Sequence, residues 1–327
     1  MPRVRQGNKG GTVNETVRRP EPVANHHRRL WVVGLVAALL LAGCGSDAGD
    51  PDADADSTET SQEPSPAPSE TEEPSTSSSA DEADLHVTAI GDSIPYNLNT
   101  DCPGCVGFVD SYAEALGDER GETVDVQNYS RHDGAKTGDI EQELASGALD
   151  APLAPADVVI VSIGFNDQPP YFEPDQPCAV PEPVSAQDAI DAVARTTPTC
   201  VDEVTASIRK TAKAVLAQVR AKAPKGAAVA VLVPYDAWNG WEDVEQNPPA
   251  TRRAVTELIT YALVAWRSAL CAEAKAVKAA CIDAYRDFNG PDGQRPAGNL
   301  LAADYTHPSQ KGNDRIRDLV LKANLLS

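Results

Sequence analysis

The sequence predicts an α/β chain: a three-layer α/β/α sandwich built on a five-stranded parallel sheet. Three observations predict it. Strand-like and helix-like segments alternate from residue 85 to the end, the pattern of helices covering a parallel sheet. Two of the strand-like segments, 157–163 and 227–233, are nearly continuous apolar runs, as strands buried on both faces require. Glycine-rich and polar clusters follow the strand segments, at the carboxyl edge where such sheets hold their ligands.

The elements follow in order. Residues 85–90 read as the first strand, 107–116 as a helix, 123–128 as the second strand and 139–145 as a short helix. The third strand is 157–163, and after it comes a long Pro-rich insertion, 168–199, read as a loop at the ligand-binding edge. Long loops in that position commonly set substrate choice. Helical periodicity resumes over 201–223 and stops before Pro224. The fourth strand is 227–233, a long helix spans 251–276, the fifth strand is 280–283, and a helix over 310–323 closes the chain. Five strands joined by right-handed crossovers give a flavodoxin-like arrangement. No internal repeat is evident. Aromatic residues make up only 5% of the chain, so the core must be built largely from Ala, Val, Leu and Ile.

The first 84 residues belong to a different regime. Residues 1–29 are polar and basic, and an apolar run over 30–42 follows. That run is shorter than the roughly 20 residues a transmembrane helix needs, but it suits the apolar core of a signal peptide. It ends in Leu41-Ala42-Gly43-Cys44, which resembles a bacterial lipobox. The resemblance implies cleavage of 1–43 and lipidation of Cys44 as the mature N-terminus. Residues 44–84 are mostly Ser, Thr, Pro, Ala and acidic residues, with no Lys or Arg. Such a segment cannot bury enough apolar surface to order itself. It is expected to be a disordered tether with a reach on the order of 35 Å, leaving 85–327 as the folded domain. The formal net charge of −21 excludes a nucleic-acid partner, which calls for a basic surface, and excludes adsorption to an anionic membrane by charge. A membrane is reached through the lipid anchor alone, and the expected site is the extracellular face.

Four short segments carry the chemistry. Gly91-Asp92-Ser93-Ile94 follows the first strand; 128–138, with Gly134 and Gly138, follows the second; Gly164-Phe165-Asn166-Asp167 follows the third; Asp304-Tyr305-Thr306-His307-Pro308 precedes the last helix. A serine hydroxyl attacks only if a base takes its proton. An imidazole is poised to do so near neutral pH, and an aspartate beside it holds the ring and stabilises the imidazolium. The order Ser93, Asp304, His307 supplies these three groups, while the GxSxG elbow of the other Ser–Asp–His fold is absent. In order and in placement the four segments resemble the conserved blocks of the SGNH (GDSL-type) hydrolases, over nearly all of 85–327, with Ile94 in place of the Leu of the family name. The resemblance implies the same three-layer fold, Ser93 as nucleophile, His307 as base and Asp304 as its partner. It implies an oxyanion hole of the Ser93 N–H, the Gly134 N–H (Gly138 being the alternative) and the Asn166 side-chain amide, and a reaction without metal or organic cofactor. Each residue also has a plain reading: Ser93 as a helix cap, His307 as a surface histidine, Asn166-Asp167 as a turn, with Asp167 supporting the Asn166 loop.

Besides Cys44 there are six cysteines, Cys102, Cys105, Cys178, Cys200, Cys271 and Cys281, and an even number in an exported chain suggests three disulfides. Sequential pairing, Cys102–Cys105, Cys178–Cys200 and Cys271–Cys281, is expected because each pair flanks a local segment. His132, Trp238 and Trp241 are expected on the substrate rim, the tryptophans either stacking on substrate or anchoring their own loop. The reading is a monomeric ester hydrolase acting on acylated glycans, lipids or small esters. Its rivals are a solute-binding or cell-wall-binding lipoprotein on the same fold without turnover, and acyl transfer to an acceptor other than water.

Overall fold

A computed structural model describes residues 83–326 other than 175. The expected leader, Cys44 and the tether through residue 82 lie outside the described residues. Five strands alternate with helices: β1 Leu85–Gly91, α1 Ser93–Tyr96, α2 Phe108–Arg120, β2 Val124–Asn128, α3 Thr137–Ser146, α4 Asp150–Leu153 and β3 Val158–Ser162. They continue with α5 Ala186–Arg195, α6 Pro198–Lys222, β4 Ala228–Leu232, α7 Glu242–Glu245, α8 Pro249–Ala276, β5 Ala280–Ile282, α9 Ala284–Asn289 and α10 Gln310–Lys322. All strand pairs are parallel, in the order β2-β1-β3-β4-β5. The five predicted strands are all present, and the α/β class stands as expected.

Strand alternation builds two cores from one sheet. Val159 and Val161 of β3 and Val229 and Val231 of β4 face the helices α3, α5, α6 and α8. Their neighbours Val158, Ile160, Ala230 and Leu232 face α2, α9 and α10. Successive side chains point to opposite faces, so a continuous apolar run serves both layers. The helix α8 is long and apolar enough to cross a bilayer by length and composition. Here it buries Leu258, Ile259, Leu263, Trp266 and Leu270 against the sheet and its neighbours.

The 168–199 insertion differs from its expectation as a loop. Its second half folds as α5, whose Ile190 and Val193 are buried in the core beside α8. Ser185 caps that helix by accepting from the Asp188 N–H, a signal present in the sequence but flanked by prolines. The disulfide pairing also needs correction. Cys102–Cys105 and Cys271–Cys281 are bonded, with Cα atoms 5.5 and 5.3 Å apart, whereas Cys178 and Cys200 are free thiols. Cys178 sits exposed at φ +58, its Sγ 4.0 Å from the Glu203 carboxylate. Cys200 is buried at the start of α6 and its Sγ donates to the Pro177 carbonyl at 3.7 Å. Burial and the neighbouring Cys178 thiol push the Cys200 thiol up in pKa. The two are hydrogen-bond neighbours rather than a bonded pair.

Candidate active site

The chain leaves β1 toward β2 on one side and β3 on the other, so the carboxyl end of β1 is the point where the sheet order reverses and a crevice opens. Gly91 ends β1 at φ +137, and a Cβ there would run into the Ser162 carbonyl of β3. Only glycine allows the two strand ends to close so tightly. The next residue, Asp92, caps α1 by accepting from the Ile94 N–H at 3.2 Å, so the plain reading of Ser93 as the cap is displaced by one residue. Ser93 opens the helix, where its backbone N–H has no intrahelical acceptor. Pro95 falls in the same first turn, where a missing N–H costs nothing.

The three residues expected to act together do meet. Ser93 Oγ lies 2.9 Å from His307 Nε2, and His307 Nδ1 lies 2.6 Å from Asp304 Oδ2. Asp304 Oδ1 also accepts the N–H groups of Thr306 and His307, each at 3.0 Å. This turn locks the carboxylate to the loop that carries its own histidine. The loop is held at both ends. Ala302 N–H donates to the His307 carbonyl at 2.8 Å, and the Tyr235 hydroxyl after β4 donates to the Thr306 carbonyl at 2.8 Å. Burial opposes the charge on Asp304, yet the bonds from the His307 ring and from the backbone of Thr306 and His307 outweigh it. The carboxyl is held below its ordinary range, so it stays ionised opposite the imidazole.

The other loops are tied to this centre. The N–H groups of Tyr129 and Arg131 donate to the carbonyls of Ala89 and Gly91, at 2.8 and 2.9 Å, fastening the loop after β2 to the end of β1. Asn128 Nδ2 donates to the Pro95 carbonyl at 2.6 Å. Gly134, at φ +76, turns that loop, while its alternative Gly138 lies inside α3. Asn166 Nδ2 donates to the Ala135 carbonyl at 2.9 Å, which brings the third block beside Gly134. Buried Asp167 accepts both the N–H and the hydroxyl of Thr137, at 3.0 and 2.7 Å. It therefore supports the Asn166 loop by gripping the start of α3. Ser93, Gly134 and Asn166 come from three strand ends held by one hydrogen-bond frame.

His132 reaches the centre: its ring stacks on that of His307, centroids 5.4 Å apart. Trp238 and Trp241 meet edge-on at 5.5 Å and lean on the α5–α6–α8 core, so they anchor the loop after β4. Sequence reasoning missed Asp101. Its Oδ2 is 2.6 Å from His132 Nε2 and 3.4 Å from His307 Nδ1. The one sequence signal was its place directly before the Cys102-Pro-Gly-Cys105 staple. Also missed were Tyr235 and the depth of Asp92. The Asp92 carboxyl is pushed up to about 7, chiefly by burial, against bonds from the Ser162 hydroxyl and the N–H groups of Ile94 and Phe165.

A serine, an imidazole and a carboxylate in one hydrogen-bonded line, beside amide donors, define a serine-hydrolase type of centre. The sequence model of the GDSL-like lipase/acylhydrolase family matches residues 89–315. The chain belongs to that family and is a carboxylic-ester hydrolase. No curated protein matches it. Among solved structures it is similar to the lipase Lip_vut3 from a goat rumen metagenome, with 18% identity and a TM-score of 0.53, over 74% of this chain and 98% of that one. It is also similar to an extracellular lipase from Streptomyces rimosus, with 13% identity and a TM-score of 0.50, over 73% and 99% of the respective chains. At such identities the likeness is one of fold.

Proposed function

We propose that the chain cleaves carboxylic esters through an acyl-enzyme on Ser93, at the outer face of a bacterial membrane to which Cys44 anchors it. The observation that carries the reading is the continuous line Ser93–His307–Asp304, with links of 2.9 and 2.6 Å. His307 Nε2 takes the hydroxyl proton as Ser93 Oγ attacks the ester carbonyl. The carbonyl oxygen becomes an oxyanion facing the N–H groups of Ser93 and Gly134 and the amide of Asn166. As the intermediate collapses, His307 returns the proton to the departing alcohol. Water then gives a proton to the same nitrogen and attacks the acyl carbonyl, and His307 passes that proton to Ser93 Oγ as the acid leaves. Neither a metal nor an organic cofactor is needed for any of these steps.

Substrates are acylated glycans, lipids or small esters, with the first favoured by a cell-surface address. The address rests on the lipobox-like ending at Cys44 and the acidic tether. Two disulfides, Cys102–Cys105 and Cys271–Cys281, agree with an oxidising compartment. The test is hydrolysis of p-nitrophenyl esters from acetate to palmitate by the full chain, beside Ser93→Ala. Turnover lost in the variant supports the reading, and the chain-length optimum separates an acetylesterase from a lipase. Equal turnover in the two would remove Ser93 as the nucleophile, and no turnover by the wild type with tight ligand binding would favour the solute-binding alternative.

A further inference from the structure

The catalytic histidine has a second set of neighbours that the reaction does not use. Asp101 enters from the segment 97–107, closed by the Cys102–Cys105 disulfide and tightened by its N–H donating to the Leu98 carbonyl at 3.0 Å. His132 enters from the loop after β2, its ring between those of Tyr96 and His307, with centroid distances of 5.5 and 5.4 Å. One donor atom each from Asp101, His132 and His307 lies within 4.8 Å of the others. Asp304 Oδ2 touches the same Nδ1 of His307 that faces Asp101.

We propose that Asp101, His132 and His307 form an inhibitory zinc site that switches the hydrolase off by capturing Nδ1 of its base. Its effect on turnover rests on the reading of His307 given above, whereas the binding itself does not. Two imidazoles and a carboxylate are the ligand set of zinc rather than of calcium or magnesium, which prefer oxygen. Tetrahedral bonds of about 2.0–2.1 Å place donor atoms about 3.3 Å apart, and Asp101 Oδ2 already lies 3.4 Å from His307 Nδ1. The Asp101–His132 pair, at 2.6 Å, opens by less than about 1 Å when a metal replaces the proton between them. Asp101 and Asp304 bring two negative charges to a doubly charged ion. The side chains of Asp101, His132 and His307 are 16%, 28% and 16% exposed, enough for entry of an ion from solvent.

The inhibition follows from proton placement. In turnover, Nδ1 of His307 carries the ring proton toward Asp304, leaving the Nε2 lone pair for Ser93. Zinc needs the Nδ1 lone pair, so in the bound neutral ring the proton sits on Nε2. That nitrogen then donates toward Ser93 Oγ and cannot accept its proton. Nothing is oxidised and no covalent bond to substrate forms.

The experiment is a zinc titration of the chelator-treated full chain against a chromophoric chelator, for the wild type, Ser93→Ala, His132→Gln and Asp101→Asn, each checked for folding by circular dichroism. Turnover of p-nitrophenyl acetate by the wild type is followed alongside. The expected result is one equivalent more zinc bound by the wild type and Ser93→Ala than by His132→Gln, and at least tenfold weaker binding by Asp101→Asn. Wild-type turnover should fall with the same midpoint and return with EDTA. Equal zinc uptake by the wild type and His132→Gln would overturn the site, and turnover undiminished at saturation would overturn the inhibition. Zinc uptake lost in His132→Gln, with no ester turned over by the zinc-free wild type, would uphold the site and count against the hydrolase reading instead.

Discussion

Ser93 is an ordinary alcohol until His307 Nε2, 2.9 Å away, can take its proton. Catalysis at this centre depends on donors that strengthen as charge develops. Asn166→Ala is therefore expected to lower kcat about 100-fold with little change in KM, measured by steady-state kinetics on a short ester. Asp92 gives a separate prediction. Its carboxyl titrates at about 7 in the fold against 3.8 in the open chain. The native state thus holds an extra proton between these values. This group's contribution is fully present below about pH 4, is lost as pH rises toward 7, and is level above that. The loss is at most about 4 kcal/mol. Asp92→Asn removes it, so the variant should gain stability relative to the wild type from pH 4 to pH 7 in denaturant titrations. Parallel curves would contradict the assignment. At this scale the sequence was readable where chemistry is local. Ser93, Gly134 and Asn166 sit in the segments that follow the ends of β1, β2 and β3, and Asp304 and His307 share one short turn just before α10. Asp101 was not readable, because its meeting with His307 joins residues 206 apart in the chain through a stapled turn whose course no periodicity records.

The elements were legible to within a few residues because buried parallel strands leave uninterrupted apolar runs, as 157–163 and 227–233 do. The helix α5 was hidden by its setting. Its cap Ser185 and its buried Ile190 and Val193 carry the helical signal, but prolines precede it on the 168–185 side. The edge strand β5 has three residues and one neighbour, β4. The Cys271–Cys281 bond ties it to the end of α8, closing a loop whose cross-link is worth about 3 kcal/mol by chain entropy. Replacing both cysteines by serine should cost about that much in unfolding free energy. The triad, on other loops, should keep its turnover at 25 °C. A variant as stable as the wild type would show that β5 is held by packing alone.

At the scale of the molecule, the expected address and the chemistry fall on different parts of the chain: Cys44 lies outside the described residues, whereas Ser93, His307 and Asp304 lie within them. Cys44→Ser should move the protein from the membrane fraction to the soluble fraction in a bacterial host while leaving its turnover of a soluble ester unchanged. Retention in the membrane fraction would count against the lipid anchor. The sandwich itself was legible as a whole because strand and helix segments alternate along the chain, which calls for a parallel sheet covered by helices. That Cys178 and Cys200 meet as neighbours yet stay free thiols was not, because spacing in the chain does not report where a thiol points.

Covalent labelling with an alkyl fluorophosphonate, read by peptide mass spectrometry, asks whether Ser93 is the nucleophile and His307 its base. The expected result is one adduct per chain, on the peptide bearing Ser93. It should be absent in Ser93→Ala and slowed at least about 1000-fold in His307→Ala. An adduct on another residue, or labelling as fast without His307, would contradict the assignment.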